Sequence, residues 1–273
     1  MTTLALTKHH GLGNDFLVLL DLEGARPVGA ALARALCDRH RGVGADGLIR
    51  VTAGTEGADV TMQLRNADGS LAEMSGNGIR CLAQAVHDAG VVDGPNLSVA
   101  TPAGVRRLTL RGTGGPGEVQ VSVDMGPAKV GPDEPQPTPD RGVRPVDMGN
   151  PHLVVWGPAF TTEDVVGMGP AIEGRTAGGV NVEFVTVGPG PDELTMRVWE
   201  RGVGETQACG TGACAAAAAA HEWGLVGPRV VVHQPGGDAE VEVRPDTVIL
   251  TGPARFVARV EVDLAQIGEV GRP

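Results

Sequence analysis

The sequence predicts a mixed α/β protein made of two similar lobes, and three observations lead there. Glycines number 42 and prolines 20 in 273 residues, which calls for many turns and therefore many short strands. Short apolar runs alternate with helix-type segments, and their order in the first half recurs in the second. Two Gly-rich stretches, Ser75-Gly76-Asn77-Gly78 and Cys209-Gly210-Thr211-Gly212, lie close to half a chain apart. Each sets a small nucleophilic side chain directly before glycines that open an Ala-containing run, as at the start of a helix. Asn66 stands nine residues before Ser75 and Glu200 nine before Cys209, each at the end of an apolar run. Gly13-Asn14 and Gly149-Asn150 precede them at comparable distances. These matches are the trace of a diverged duplication, with a period longer than that of a solenoid repeat.

Taken in order, Phe16–Leu20, Gly47–Val51, Val60–Leu64 and Val105–Leu110 read as strands, and Val28–Arg39 and Gly78–Ala89 as helices. The Pro- and Gly-rich stretch Gly126–Arg144 is weakly periodic and reads as a loop or linker. In the second half, strands are expected at Leu153–Trp156, Val180–Val187 and Leu194–Trp199, followed by a helix over Gly212–Trp223. Further strands are expected at Arg229–Val232, Glu240–Val243 and Thr247–Leu250. Arg255–Val262 alternates and is placed to return to the first lobe. The expected domains are residues 1–118 with 263–273, carrying Ser75, and residues 119–262, carrying Cys209.

Composition narrows the function. Lys and Arg total 22 against 33 Asp and Glu, a net charge of −11, so no basic surplus exists to neutralise nucleic-acid phosphates or an anionic membrane. No apolar run is long enough to span a bilayer, and the N-terminus lacks a signal-peptide layout. Four cysteines at scattered spacing do not form a disulfide framework, which points to a reducing cytoplasm. Tyrosine is absent, so no acid–base scheme draws on it. A small-molecule substrate is the expected partner, with a homodimer as the candidate assembly.

A helix start presents unpaired N–H groups and the positive end of the helix dipole, which suits an anion. Glycines at 76, 78, 210 and 212 let backbone approach a ligand closely. Two such starts on one carboxylate would stabilise the charge that develops when its α-proton leaves. Cys209 at a helix start is expected to have a lowered pKa. A thiolate on one side of a Cα and a donor on the other is what stereoinversion by proton removal and return requires. Singly, either stretch reads equally well as a Gly-rich turn before a core helix; the matched Asn66 and Glu200 favour function.

Other motifs carry less. Gly42-Val43-Gly44-Ala45-Asp46-Gly47 fits G-x-G-x-x-G but follows a helix and precedes a strand, the reverse of a dinucleotide site. Cys209 and Cys214 would not share a helix face, so no metal is expected. No lysine adjoins the proposed site, so no pyridoxal phosphate or other cofactor is expected. Asp46, Asp68 and Glu205 are candidates either for orienting the site or for turns and caps, and His152 reads as a core or supporting histidine.

The chain resembles the diaminopimelate epimerase family. The resemblance is carried by His10-Gly11-Leu12-Gly13-Asn14-Asp15-Phe16, Asp38-Arg39-His40-Arg41-Gly42-Val43-Gly44-Ala45-Asp46-Gly47, Arg65-Asn66-Ala67-Asp68-Gly69-Ser70 and Gly76-Asn77-Gly78-Ile79-Arg80. Gly149-Asn150-Pro151-His152, Val180-Asn181-Val182-Glu183-Phe184, the segment from Trp199 to Thr206, and Cys209-Gly210-Thr211-Gly212 complete it across nearly the whole chain. The family implies two pseudo-symmetric lobes, each a curled, mostly antiparallel sheet around a central helix, with the site between them. It implies cofactor-independent epimerisation of diaminopimelate in lysine and peptidoglycan precursor synthesis. By resemblance, the reacting carboxylate rests on the N–H groups of Gly76, Asn77, Gly210 and Thr211, and Asn14, Asn66, Asn150, Asn181, Glu200 and Arg201 hold the substrate. A diamino diacid needs an ammonium partner and a carboxylate partner at its distal end, and Glu200 and Arg201 are one of each; out of that context they read as a surface ion pair.

The family has two cysteines flanking the substrate Cα. Cys209 matches one, and Ser75 occupies the position of the other. A serine hydroxyl is a far weaker acid than a thiol with its pKa of ~8.5; it can donate or relay a proton but is scarcely available as a base. Cys81, further along the helix, faces elsewhere. A natural Cys/Ser variant, an engineered substitution and a paralogue with altered chemistry all fit. So do an epimerase or racemase of another amino acid and a silent binding protein.

Overall fold

The computed structural model describes residues 3–112, 115–134 and 141–267, and the chain divides into two compact units. Unit 1 comprises the chain up to Ser122 and again from Pro253, and unit 2 runs from Val123 to Gly252.

In unit 1, β1 (Thr3–Gly11) and β2 (Asn14–Leu20) form a hairpin whose innermost pair is Gly11 with Asn14. Leu12 and Gly13 both have positive φ, 55° and 83°, the backbone twist that a two-residue hairpin turn requires. That turn places Asn14 at the strand end. Then come α1 (Ala30–Cys37), β3 (Gly47–Ala53), β4 (Val60–Asn66), β5 (Leu71–Ala72), α2 (Gly76–Asp88), β6 (Asn96–Thr101), β7 (Gly104–Leu110) and β8 (Glu118–Asp124). The pairings are antiparallel for β1–β2, β3–β4, β4–β5 and β6–β7, and parallel for β2–β3 and β4–β6. Leu4, Leu6, Leu17, Leu19, Leu36 and Leu48 form a core beside α1. α2 is buried on every side from Gly76 to Val86, so the sheet of this unit encloses it.

Unit 2 repeats the plan. It contains β9 (Lys129–Val130), β10 (Gly142–Asp147), β11 (Pro151–Trp156), α3 (Thr162–Glu173), β12 (Asn181–Val187), β13 (Glu193–Glu200), β14 (Gly204–Thr206), α4 (Gly210–Glu222), β15 (Arg229–Gln234) and β16 (Gly237–Val243), and β17 (Val248–Asp263) begins in it and ends in unit 1. From β10 to β16, each pairing matches in partner and sense the corresponding pairing from β1 to β7. Both units are curled, mostly antiparallel sheets around one helix, and the mixed α/β class with two pseudo-symmetric lobes is established. α4 is buried from Gly210 to Ala220, and its alanine run suits a helix approached closely by strands all round.

Both central helices begin two residues earlier than expected, at Gly76 and Gly210, so the glycines lie inside the first turn. Two expectations need correction. The stretch Gly126–Arg144 is not all loop: β9 and the start of β10 lie in it, the latter paired along β11. Residues 135–140 of that stretch lie outside the described residues. α3 is not among the elements the sequence pattern predicts, although Thr161 and Asp164 form a capping box at its start. β17 pairs with β16 through Thr251 and, from Arg255 to Asp263, with β1. That pairing puts the return to unit 1 at Pro253, where the sequence had placed it at 263.

Candidate active site

In unit 1 the candidate residues gather at the start of α2. Ser75 is the N-cap, in extended conformation, and its Oγ accepts the N–H of Gly78 at 3.0 Å. Asn77 lies in the first turn and donates from Nδ2 to Asn14 Oδ1 at 3.2 Å. Asn14 in turn donates to Asp46 at 2.7 Å, and Arg39 bridges Asp46 and Asp15, which fixes the loop that orients Asn14. The Asp15 carboxyl is penalised by burial, but hydrogen bonds from Arg39 and Lys8 hold it below its ordinary pKa. Asp46 therefore acts as an orienting residue. Asp68 accepts from Ser70 N and Oγ, and Ser70 Oγ accepts from Asn66 Nδ2, so Asp68 serves both as a turn residue and in orienting Asn66. Arg80, fully buried one turn into α2, donates to Asn77 Oδ1 at 2.7 Å and to Gly76 O.

In unit 2 the same arrangement surrounds Cys209. It caps α4 in extended conformation, and its Sγ accepts the N–H of Gly212 at 3.4 Å. Its own N–H donates to Gln234 Oε1 at 2.8 Å. Thr211 Oγ1 lies 3.5 Å from the sulfur and 3.5 Å from Asn150 Nδ2. His152 is buried, with Nε2 3.0 Å from Asn150 Oδ1 and Nδ1 2.7 Å from Glu183 Oε1. Asn181 spends its amide on backbone, donating to Pro151 O and accepting from Arg201 N. Glu200 accepts from Thr206 Oγ1. Arg201 is exposed, with its chain packed over Gly179. Glu205 pairs with Arg197.

Each unit thus brings its own candidates together: Asn14, Ser75, Gly76 and Asn77 in one, and Asn150, Cys209, Gly210 and Thr211 in the other. Asn66, Asn181, Glu200 and Arg201 stand at strand ends or in turns with contacts of their own. The lowered pKa expected for Cys209 is overturned. Burial pushes this thiol well above its ordinary value, and the carboxylates of Glu200 and Glu183 add to the effect, against donors at Thr211 and Gly212. Cys81 is fully buried inside α2, and burial raises it to about 12. Sequence reasoning gave no role to Glu183, Gln234 or Arg80. A carboxylate within the apolar strand Val182–Val185 was the available signal for Glu183. Among the described residues, no His, Cys, Asp or Glu cluster could hold a metal, and no helix is long and apolar enough to cross a membrane.

Comparison with known proteins identifies the family. The model of the diaminopimelate epimerase family matches residues 6–131 and 145–257. A diaminopimelate epimerase of Desulfitobacterium hafniense is 44% identical over 93% of this chain and 96% of its own. One from Corynebacterium glutamicum is 40% identical over 96% and 99%. Among solved structures, a probable proline racemase from Agrobacterium radiobacter superposes with a TM-score of 0.76 at 20% identity, over 96% of this chain and 93% of its own. A methylitaconate-delta-isomerase gives 0.64 at 15% identity, over 97% of each. The solved structures share the fold, and the relatives with the family model give the family: this chain belongs to the diaminopimelate epimerases.

Proposed function

We propose that the protein is an isomerase that epimerises LL-diaminopimelate to meso-diaminopimelate without pyridoxal phosphate, in lysine and peptidoglycan precursor synthesis. The observation that carries this reading is the equivalence of two caps: Ser75 Oγ on Gly78 N–H, and Cys209 Sγ on Gly212 N–H. Each places a proton-bearing side chain at the positive end of a buried helix, beside backbone N–H groups suited to a carboxylate. The reading gives the reacting carboxylate to the N–H groups of Gly76, Asn77, Gly210 and Thr211. The α-proton goes to Cys209 when that group is thiolate, and a proton returns from Ser75; in the opposite direction Cys209 is the donor. Asn14, Asn66, Asn150, Asn181, Glu200 and Arg201 hold the rest of the substrate. The partner is diaminopimelate alone, with no nucleic acid, membrane or cofactor, in a cytoplasmic protein with a homodimer as candidate assembly.

Because a hydroxyl is a poor base, the two proton transfers are unequal. In heavy water, the isomer whose α-proton faces Cys209 should exchange faster than it inverts. Measuring exchange and inversion for both isomers tests this. Turnover of alanine or proline in place of diaminopimelate would move the substrate elsewhere, and absence of any exchange would leave only a binding protein.

A further inference from the structure

We propose that Glu183 is a positioning residue for Cys209: paired with His152, it fixes a hydrogen-bond chain through Asn150 and Thr211 whose last hydroxyl donates to the Cys209 sulfur. The inference rests on the reading of Cys209 as the proton-transfer thiol.

The duplication supplies the first argument. Phe16 pairs with Gly47 between β2 and β3, and His152 pairs with Asn181 between β11 and β12. His152 is therefore the counterpart of Phe16, and Glu183, two residues beyond Asn181, is the counterpart of Ile49. The contacts agree: a Cβ on Gly78 would meet Ile49 Cδ1 at 3.3 Å, and one on Gly212 would meet Glu183 Oε1 at 2.7 Å. All four residues are buried. One unit completes this layer with an apolar pair, so the fold does not need ionisable groups there. Burying them costs free energy unless they are paired, and the pair lies only in the unit that carries the cysteine.

The direction of the hydrogen bonds supplies the second. With Asn150 oriented as described, its Oδ1 can only accept, so His152 Nε2 carries a hydrogen. This holds whether the proton between Nδ1 and Glu183 sits on the ring or on the carboxyl. Asn150 Nδ2 then donates to Thr211 Oγ1, which leaves the threonine hydrogen for the sulfur. Every donor after Glu183 points toward Cys209. Glu183 Oε2 has no hydrogen-bond partner among the described residues, so the carboxyl is committed to the imidazole. In unit 1 the comparable bonds run from Arg80 through Asn77 and Asn14 to Asp46. The charged groups facing Cys209 are Glu183 on β12 and Glu200 on β13, with His152 on β11 behind Asn150. Both carboxylates oppose a thiolate, so the donors on the sulfur are what favour one.

The test is site-resolved alkylation of Cys209 by iodoacetamide against pH, which needs no substrate. Thr211→Val should slow alkylation about tenfold at neutral pH by removing a donor to the thiolate, and Thr211→Ser should retain the rate. Glu183→Gln should retain the rate, because its amide can donate to Nδ1 as a protonated carboxyl does and leave the hydrogen on Nε2. A purely Coulombic role for Glu183 predicts faster alkylation, since the variant takes a negative charge from beside the sulfur. The double variant His152→Phe with Glu183→Ile installs the pair of unit 1 and leaves no unpaired charge; it should fold and show the same tenfold loss. Nitrogen NMR of the unaltered protein should find His152 Nε2 protonated at neutral pH. Faster alkylation in Glu183→Gln, unchanged alkylation in Thr211→Val or in the double variant, or an unprotonated Nε2, would overturn the proposal. Because alkylation is independent of diaminopimelate turnover, the proposal and the functional reading can fail separately.

Discussion

Gly212 and Glu183 are in such close contact that a single Cβ on the glycine would lie 2.7 Å from the Glu183 carboxyl oxygen. Glu183 is fully buried and tied to His152, so it cannot swing aside. Gly212→Ala should cost about 1–3 kcal/mol of stability through overpacking. Gly78→Ala, whose nearest neighbours are Ser75 Oγ at 3.2 Å and Ile49 at 3.3 Å, should cost less, because the helix-propensity gain from alanine offsets the milder crowding. Urea unfolding of both variants checks the order, and equal losses would count against it.

Buried thiols make the protein sensitive to alkali. Burial raises Cys37 and Cys81 to about 12 and pushes Cys209 up as well. A pKa raised on folding contributes stability that is complete below the unfolded thiol value of ~8.5 and is lost as pH rises through the folded value. Stability should therefore fall between roughly pH 8.5 and 12, by up to about 1.4 kcal/mol per pH unit for each thiol. Cys37→Ala and Cys81→Ala should each flatten the profile even as they cost stability at neutral pH. Chemical denaturation across that range is the measurement.

Ser75→Cys should raise inversion strongly relative to exchange, because it puts a thiol, a far stronger acid than a hydroxyl, at the α2 cap. Both rates for each isomer in heavy water, with and without the substitution, decide it. Equal exchange and inversion in the unmodified protein, unchanged by the cysteine, would sink the role given to Ser75.

Arg201→Ala should lower kcat/KM for diaminopimelate by about 1.5–3 kcal/mol, some ten- to a hundredfold, if its guanidinium holds the distal carboxylate. Stability should hardly change, since Arg201 is exposed and its buried link to Asn181 runs through the backbone N–H. Steady-state kinetics and thermal unfolding of the same variant separate the two.

Much of the molecule is legible in the chain itself. The two Gly-rich stretches mark the starts of α2 and α4, because a small polar side chain before glycine is both a cap signal and a place for close backbone approach. The strands with unbroken apolar runs, such as β2 and β3, are equally plain. β1 escaped because its Thr-Lys-His-His sequence has little strand pattern, and β10 because Pro145 sits inside a Pro-rich stretch. α3 escaped because Gly167, Gly169 and Pro170 weaken its helical signal.

The sequence by itself determined the mixed class, the duplication and the two capped helices, which local propensity, periodicity and spacing carry, and the family, which its motif segments carry by resemblance. The tertiary structure alone decided the state of Cys209, because desolvation and the fields of Glu183 and Glu200 depend on which strands surround α4. It also decided what lies behind the cysteine. Glu183 and His152 are distant in sequence, and only the parallel pairing of β11 with β12 brings a carboxylate and an imidazole together where the other unit has phenylalanine and isoleucine.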